Sequence, residues 1–251
     1  MSKIISVHSF RGGTGKSNTC ANLAALMAGM GKRVGVIDTD IISPGIHVLF
    51  QLQQSEIKYT LNDYLWGNCA IKDTAYDILA RLDPQLANRA YLIPSSIRAG
   101  DIARILREGY DVGLLNDGYK KIIRQLNLDV LIIDTHPGLN EETLLSIVIS
   151  EVLLLVLRPD QQDFQGTGVT VDVARKLGVP QLLLLLNKVP DSYNSDEVKA
   201  SVERIYQSEV AALLPHSDEM MTLASAGIFV MKYPQHPITL QLKALAERLV
   251  S

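Results

Sequence analysis

The stretch SFRGGTGKSN, residues 9–18, combines the residue types that bind a nucleotide phosphate. It follows the strand-like segment KIISVH and leads into a helix-like one. Backbone amides turn toward phosphate oxygens most readily at glycine, and the stretch has three: Gly12, Gly13 and Gly15. Lys16 is placed to reach the β- and γ-phosphates, and the Ser17 hydroxyl to hold Mg²⁺. The sequence therefore predicts a phosphate-binding loop.

One position departs from the common phosphate-loop pattern, G-x-x-x-x-G-K-[ST]. That pattern requires glycine at position 10, where this chain has Phe10, followed by Arg11. The alternative interpretation is a glycine-rich turn that contains GKS by chance. The flanking strand and helix favour the phosphate loop, because they place it at a helix N-terminus, where anions bind.

Two aspartates stand at the end of a second predicted strand, in VIDTDIISPGI. In an extended backbone, Asp38 and Asp40 would face the same side at the carboxyl edge of a sheet. One could assist Mg²⁺ while the other orients a water molecule for attack on the γ-phosphate. The alternative is an Asx turn followed by a helix cap.

A third strand end, in DVLIIDTHPG, places Asp134 before a loop with Pro137 and Gly138. This arrangement fits a Walker B carboxylate that holds Mg²⁺ through water, followed by a loop that senses phosphate. His136 is a candidate general base beside Asp134. A loop histidine without a chemical role is favoured, because phosphoryl transfer needs positioning more than proton abstraction.

A fourth strand end, in LLLLLNKVP, places Asn187 and Lys188 at the same predicted edge. The Asn side chain offers both a donor and an acceptor, which suits the edge of a purine. The alternative is an ordinary turn that ends the strand.

The elements that must position these residues alternate along the chain as strand and helix. The predicted strands are KIISVHS, RVGVID, AYLIPS, DVLIID, EVLLLVLR, QLLLLLNKV and EVAALLP. The predicted helices span 16–30, 101–107, 117–126, 161–177, 195–207 and 238–250. Continuously apolar strands are typical of parallel sheets covered on both faces. The pattern predicts an α/β fold, a doubly wound, mostly parallel sheet with helices on both faces, and an irregular segment, 51–89, at one edge.

Composition limits the classes of protein. The 251 residues are 47% hydrophobic and 20% charged, with a formal net charge of −3, which predicts one domain over 1–251 and no overall basic field for nucleic acid. Cys20 and Cys69 form no CxxC, so we expect both to be small buried hydrophobes. Glu151 interrupts the most apolar stretch. The prediction is a soluble, cytoplasmic protein without a spanning helix.

Together these motifs resemble the ParA/MinD family of deviant Walker A P-loop ATPases, whose loop reads K-G-G-x-G-K-[ST]. The segment DTDIISPGI is nearer to MinD and Mrp-like members than to plasmid ParA proteins, which favour D-x-D-P-Q-G. The resemblance implies ATP and Mg²⁺ as ligands. Mrp-type scaffolds carry cluster-binding cysteines, and neither cysteine of this chain stands where those ligands would.

The resemblance also assigns roles to individual residues. Lys16 and Asp40 would be catalytic, with Asp40 positioning the hydrolytic water, and Mg²⁺ would be held by Ser17, Asp38 and Asp134. Asn187 would contact adenine, and LLPHSDEM around Pro215 resembles the loop that closes over the base. The nucleotide-binding set is Arg11, Gly12, Gly13, Thr14, Gly15, Lys16, Ser17, Asn18, Asn187, Lys188 and Pro215.

Arg11 stands where the family has its signature lysine, which reaches across an ATP-bound dimer to the partner's phosphates. Arginine keeps the charge and can donate two parallel hydrogen bonds to phosphate. The resemblance therefore implies an ATP-dependent homodimer in which Arg11 serves the partner's nucleotide. The alternative is a tolerated surface charge.

The C-terminal helix is expected to pack in the core, because it lacks the aromatic and strongly basic residues of an interfacial anchor. Membrane binding is therefore disfavoured. Nonspecific DNA binding stays open, and scattered lysines and arginines on helices are usually solvated. The candidate residues for DNA are Lys199, Arg204, Lys232, Lys243 and Arg248.

Three functions are compatible with these predictions. The first is a weak ATPase that acts as a molecular switch: it dimerises with Mg-ATP, positions a cargo such as a chromosome, a plasmid or division machinery, and responds to an activator protein. The second is a nucleotide-binding adaptor with little or no hydrolysis. The third is a metabolic enzyme of the same fold, with a substrate pocket that the sequence does not locate.

Overall fold

One eight-stranded sheet receives its strands from nearly the whole chain. The computed structural model describes residues 2–80 and 82–251. The strands are β1 (Lys3–His8), β2 (Val34–Asp38), β3 (Tyr76–Asp77), β4 (Ala90–Ile93), β5 (Val130–Asp134), β6 (Val152–Leu157), β7 (Gln181–Val189) and β8 (Glu209–Pro215). Their order is β3-β4-β2-β5-β1-β6-β7-β8, and every neighbouring pair is parallel except β3 and β4. The predicted doubly wound sheet is confirmed.

Helices connect the strands and cover both faces of the sheet. They are α1 (Lys16–Gly29), α2 (Ile46–Leu49), α3 (Leu61–Leu65), α4 (Ala99–Glu108), α5 (Val112–Leu126), α6 (Glu141–Ile149), α7 (Gln161–Lys176), α8 (Ser195–Tyr206), α9 (Asp218–Leu223), α10 (Phe229–Lys232) and α11 (Pro237–Val250). One face packs against α1 and α11, and the other against α5 on one side and α7 and α8 on the other. This layering buries the central strands on both sides, as their continuous apolar sequences predict.

The seven predicted strands are all present, whereas the helices differ in places. Helix α5 begins at Val112, five residues before the predicted start at Asp117. The reason is a cap: the Asp111 carboxylate accepts hydrogen bonds from the backbone amides of Gly113 and Leu114. The irregular segment 51–89 lies at the β3 edge, where it contributes α3, three short 3₁₀ turns and the antiparallel strand.

Helix α11 packs against the core, as predicted. Leu242, Leu245 and Leu249 are each 1% exposed, whereas Leu240 is 52% exposed. Arg248 donates to the Glu209 carboxylate of β8, so this DNA candidate is engaged within the chain. Among the helices of residues 2–80 and 82–251, none has the length and apolar character to cross a membrane.

The two cysteines occupy different environments. Cys20, a residue of α1, is fully buried in the apolar cluster between this helix and the sheet, as predicted. The expectation for Cys69 was wrong, because this residue is only partly buried and packs against the cluster on the opposite face of the sheet. The sheet therefore separates the two thiols within one chain.

Candidate functional site

The phosphate loop joins the carboxyl end of β1 to the N-terminus of α1. Gly13 and Gly15 have φ angles of 78° and 105°, a left-handed conformation that side chains with a Cβ rarely adopt. Gly15 is also the N-cap of α1, and no side chain of the described residues caps that helix end. The first-turn amides of α1 therefore keep their capacity to bind an anion. Lys16, which is 7% exposed, begins the helix beside them.

Asn187, near the end of β7, forms a hydrogen bond with the backbone of the phosphate loop. Its Nδ2 donates to the Thr14 carbonyl at 2.7 Å, and its Oδ1 accepts from the Lys188 backbone amide at 2.9 Å. Lys188 Nζ donates to the Gly13 carbonyl at 3.0 Å. A Cβ at Gly15 would lie 2.3 Å from Asn187 Nδ2, so this close approach requires glycine. Both predicted nucleotide contacts of β7 thus bind the loop itself in this structure.

Arg11 and Phe10 attach the start of the loop to α7. Arg11 Nη1 lies 3.4 Å from Asp160 Oδ1 and 3.5 Å from Asp163 Oδ1. Asp163 is 2% exposed, so these arginine contacts offset the desolvation of a buried carboxylate. The Phe10 ring lies over Gly166, where an added Cβ would come within 1.9 Å of Phe10 Cδ1. Arg11 is therefore engaged by its own chain in this structure.

The loop after β2 is organised by its two aspartates. Asp38 accepts hydrogen bonds from the backbone amides of Asp40, at 3.0 Å, and Gly45, at 3.3 Å. Asp40 Oδ1 in turn accepts from the Ser43 amide at 3.0 Å. The Asx-type turn that the sequence left as an alternative is thus present. This turn leaves Asp40 accessible to a ligand, because Asp40 also lines the nucleotide-sized cavity described below.

His136 contacts the carboxylate predicted to position water, rather than remaining apart from the site. Its Nδ1 lies 2.7 Å from Asp40 Oδ1. The contact follows from the sheet order, since β2 and β5 are neighbours and the loops after them meet. Sequence reasoning favoured a histidine without a chemical role, and no local pattern indicated this partner 96 positions away.

Two buried carboxylates form the floor of the site. Asp38 and Asp134 are each 1% exposed and end the paired strands β2 and β5. Burial raises the pKa of Asp134 to about 6, against the opposing effects of Lys16 and of a hydrogen bond from Ser17. Burial and the charge of Asp134 raise the pKa of Asp38 well above its usual value. Ionising both groups is therefore costly without a further cation.

This floor fits Mg²⁺. Asp134 Oδ1 is buried and has no hydrogen-bond partner among the described residues, so it keeps a lone pair for a ligand. Ser17 supplies a hydroxyl beside Asp134, and hydroxyl and carboxylate oxygens are the ligand types that Mg²⁺ prefers. A bound divalent cation would offset the mutual repulsion of the two carboxylates.

His8 is a site residue that sequence reasoning missed. It ends β1 directly before the phosphate loop, and its Nδ1 lies 2.7 Å from Thr135 Oγ1. Burial, with the charges of Lys16 and His136, lowers the pKa of His8 to about 3, so the ring is neutral at physiological pH. The available signal was its place at a strand end, the same signal that identified the aspartates.

A cavity of about 580 Å³ extends from the phosphate loop to α9. At its far end Pro215, Met220 and Met221 provide apolar surface, and His216 adds a polar group. This volume lies in the usual range of small-ligand and cofactor pockets. Sequence reasoning identified this wall through the segment LLPHSDEM around Pro215, which includes Met220, but it did not identify Met221.

The structure brings most of the predicted residues to this cavity. Those that line it are Gly12, Gly13, Gly15, Lys16, Ser17, Asn18, Asp40, Asn187, Lys188 and Pro215. The remaining four do not line it: Thr14, Asp38 and Asp134 are buried, and Arg11 turns toward α7. The arrangement offers a phosphate cradle, a cation floor and an apolar wall for a base, side by side.

Comparison with known proteins agrees with this geometry. Residues 2–195 match the family described as AAA domain. The chain belongs to this family, which agrees with the ParA/MinD family of P-loop ATPases that its motifs resemble. The predicted resemblance is confirmed.

Individual relatives match almost the whole length of this chain. It is 28% identical over 251 residues to an uncharacterised ATP-binding protein of Methanocaldococcus jannaschii, covering 100% of this chain and 88% of the relative. It is 25% identical over 265 residues to an iron–sulfur cluster carrier protein of Pyrococcus horikoshii, covering 98% and 85%. Its fold matches the septum site-determining protein MinD of Pyrococcus horikoshii, complexed with Mg-ADP, with a TM-score of 0.82, 23% identity and coverage of 99% and 96%.

We expect Asn187→Ala to lower the free energy of unfolding by about 1–3 kcal/mol, because the buried Thr14 carbonyl loses its donor. Asn187→Asp keeps the size of the side chain but turns a second oxygen toward that carbonyl. It should therefore be at least as destabilising as the alanine variant. Urea denaturation measures both, and wild-type stability of Asn187→Asp would contradict the assigned hydrogen bond.

We expect Asp134→Asn to raise the melting temperature of the nucleotide-free protein at about pH 8. The folded state retains a proton on Asp134 up to about pH 6, whereas the unfolded chain releases it near 3.8. Stability therefore falls as pH rises through this interval and stays lower above it. The interval corresponds to roughly 3 kcal/mol, of which the amide recovers a part.

Scanning fluorimetry without Mg²⁺ tests this pH dependence, and the gain should be several degrees near pH 8 and smaller near pH 5. Asp172→Asn, at an exposed position of α7, is the control and should leave the melting temperature unchanged. A lower melting temperature of Asp134→Asn at the higher pH would mean that the attraction between the Asp134 carboxylate and the charge of Lys16 outweighs the cost of burial.

Proposed function

We propose that this protein is an ATP-dependent molecular switch formed by a single P-loop domain. Mg-ATP binds at the cavity, the loaded protein dimerises, and slow hydrolysis returns it to the monomer. While loaded, the dimer positions a cargo until an activator protein stimulates hydrolysis. The observation that carries this proposal is the meeting of the phosphate loop, Asp40 and the Asp38–Asp134 floor at the carboxyl ends of β1, β2 and β5.

The roles of the residues follow from their positions. Lys16 and the first-turn amides of α1 bind the phosphates, and Ser17, Asp38 and Asp134 hold Mg²⁺. When bound, Mg²⁺ supplies positive charge against the phosphate oxygens. Asp40 orients the water molecule, and His136 fixes the Asp40 carboxylate through the 2.7 Å contact. Pro215 and the two methionines hold the base.

The adaptor function is a second candidate because of one observation on Arg11. In this structure its guanidinium pairs with Asp160 and Asp163 of its own chain. A switch requires this side chain to leave α7 and contact the partner's phosphates. If it remains on α7, the protein binds nucleotide as a monomer and hydrolyses little of it.

The dependence of dimerisation on the bound nucleotide distinguishes the switch from the adaptor. For the switch, light scattering should give the monomer mass with Mg-ADP and twice that mass with Mg-ATP, for the wild type and for Asp40→Ala. Arg11→Ala should bind Mg-ATP and stay monomeric. A wild-type mass that is indifferent to nucleotide would reject the switch and leave the adaptor.

Hydrolysis tests the role of Asp40. We expect Asp40→Ala to bind a fluorescent ATP analogue as tightly as the wild type does and to lose turnover by on the order of 100-fold, because the attacking water loses its carboxylate. Phosphate release measures turnover, and Asp196→Ala, at an exposed position of α8, is the matched control. Unchanged turnover in Asp40→Ala would reject the assigned role.

A further inference from the structure

The loop after β5 carries His136, so the attachment of this loop decides where the ring that contacts Asp40 lies. Strand β5 pairs with β1 as far as Asp134, which lies opposite Val7. One residue further on, the Thr135 amide still donates to the Val7 carbonyl, but at 3.3 Å. This distance is longer than that of most backbone hydrogen bonds. Main-chain pairing therefore fixes the loop only weakly at Thr135.

Side chains complete the attachment at Thr135. The Thr135 hydroxyl donates to the same Val7 carbonyl at 3.0 Å, and His8 Nδ1 lies 2.7 Å from the Thr135 hydroxyl oxygen. Because the hydroxyl hydrogen is directed at Val7, the Thr135 oxygen is the acceptor and His8 Nδ1 is the donor. His8 and Thr135 are both fully buried, so water does not compete for this hydrogen bond. His8, the last residue of β1, thus holds Thr135 in place.

The second ring nitrogen of His8 makes the histidine unfavourable for stability. Nε2 is buried and has no hydrogen-bond partner among the described residues. A buried polar atom without a partner lowers the stability of the folded protein. Leucine at this position would fill a similar space without that cost, and Thr135 would still donate to Val7. Stability alone therefore does not account for a histidine at position 8.

The loop is attached at two further points on either side of the His136 ring. The His136 carbonyl accepts from Thr143 Oγ1 at 3.3 Å, and the Gly138 amide donates to the Ser9 carbonyl at 3.2 Å. The ring itself extends in the other direction, to Asp40 Oδ1. His136 therefore reaches the loop after β2 from a backbone that is held on the β1 side.

Thr39 on the β2 side does not duplicate the contact that His8 makes. The amide and the hydroxyl of Thr39 both donate to the Asp134 carbonyl, at 2.9 and 3.0 Å. These bonds fix β5 one residue before Thr135. Among the described residues, His8 is the only side chain that donates to the Thr135 hydroxyl.

We propose that His8 is a positioning residue for Asp40. Through Thr135 it fixes the backbone of His136, and the His136 ring holds the Asp40 carboxylate. His8 does not line the nucleotide cavity, so it acts through these residues and not on the nucleotide. Its effect on the contact between His136 and Asp40 needs no ligand. Its effect on hydrolysis rests on the proposed function, in which Asp40 orients the water molecule.

Three variants test this proposal. His8→Leu removes the donor and keeps a side chain of similar size. His8→Asn can place its amide nitrogen where Nδ1 lies, so it restores the donor to Thr135. His47→Leu is the matched control, because His47 is another buried histidine whose Nδ1 lacks a partner among the described residues, but it lies in α2.

The contact is measured first, by NMR on the nucleotide-free protein with isotope-labelled histidine. Long-range proton–nitrogen spectra at neutral pH show which ring nitrogens carry a proton, and Asp40→Ala identifies the His136 signals that depend on Asp40. In His8→Leu these signals should move toward their positions in Asp40→Ala. In His8→Asn and His47→Leu they should stay at the wild-type positions. Unchanged His136 signals in His8→Leu would overturn the proposal.

Thermal unfolding separates positioning from a purely structural role. The melting temperature of His8→Leu should equal or exceed that of the wild type, because leucine removes the unpaired nitrogen. A lower melting temperature together with unchanged His136 signals would mean that His8 only stabilises the fold, and the proposal would fail.

Turnover is measured next, by phosphate release. We expect His8→Leu to bind a fluorescent ATP analogue within about twofold of the wild type and to lose turnover by about tenfold, because the Asp40 carboxylate is no longer held. His8→Asn should recover most of this loss, and His47→Leu should show none. Equal losses in His8→Asn and His8→Leu would contradict the role of the Nδ1 donor.

A double variant tests the route through Thr135. Thr135→Val removes the acceptor, so combining it with His8→Leu should reduce turnover no further than the larger of the two single losses. Additive losses would exclude this route. A wild type that does not hydrolyse ATP would reject the switch, and the NMR result would still decide the role of His8. Conversely, unchanged His136 signals would leave the switch proposal intact.

Discussion

The hydrogen bond from Asn187 to the Thr14 carbonyl is the constraint on which the site depends. A loop that turns its amides toward a phosphate must turn its carbonyls the other way, because each peptide group is planar and trans. Those carbonyls then need donors inside the protein. Asn187 and Lys188 supply them from β7, two strands away from β1 in the sheet. The shape of the phosphate loop is thus set jointly by its own glycines and by a distant strand end.

The carboxylate floor is unfavourable for the stability of the empty protein, although the proposed function requires it to hold a cation. Asp38 and Asp134 end neighbouring strands, and their burial makes ionisation unfavourable in the absence of a cation. The surrounding apolar core holds them there against this cost. The same core keeps His8 neutral next to the loop, so the positive charge beside the floor is that of Lys16. Because ionising these carboxylates is unfavourable in the empty site, the protein gains the most stability when a cation and an anionic ligand bind together.

Sequence patterns located the strands and their ends because continuous apolar runs and terminal polar residues are local signals. They placed Asp38, Asp40 and Asp134 at one edge for the same reason. They did not reveal the contact of His136 with Asp40, or of Arg11 with Asp160, since these pairs are 96 and 149 positions apart and depend on strand order. The early start of α5 was missed because one cap, Asp111, outweighs the weak periodicity before it.

The contact of Phe10 with Gly166 has a consequence for how this chain can vary. The phenylalanine occupies the space that a side chain at position 166 would need. A larger residue at position 166 is therefore tolerated only together with a smaller one at position 10, which also precedes the arginine of the loop. Substitutions at these two positions should occur in pairs among descendants of this sequence. Neither position touches the cavity, yet the pair links the sequence of a surface helix to the placement of the phosphate loop.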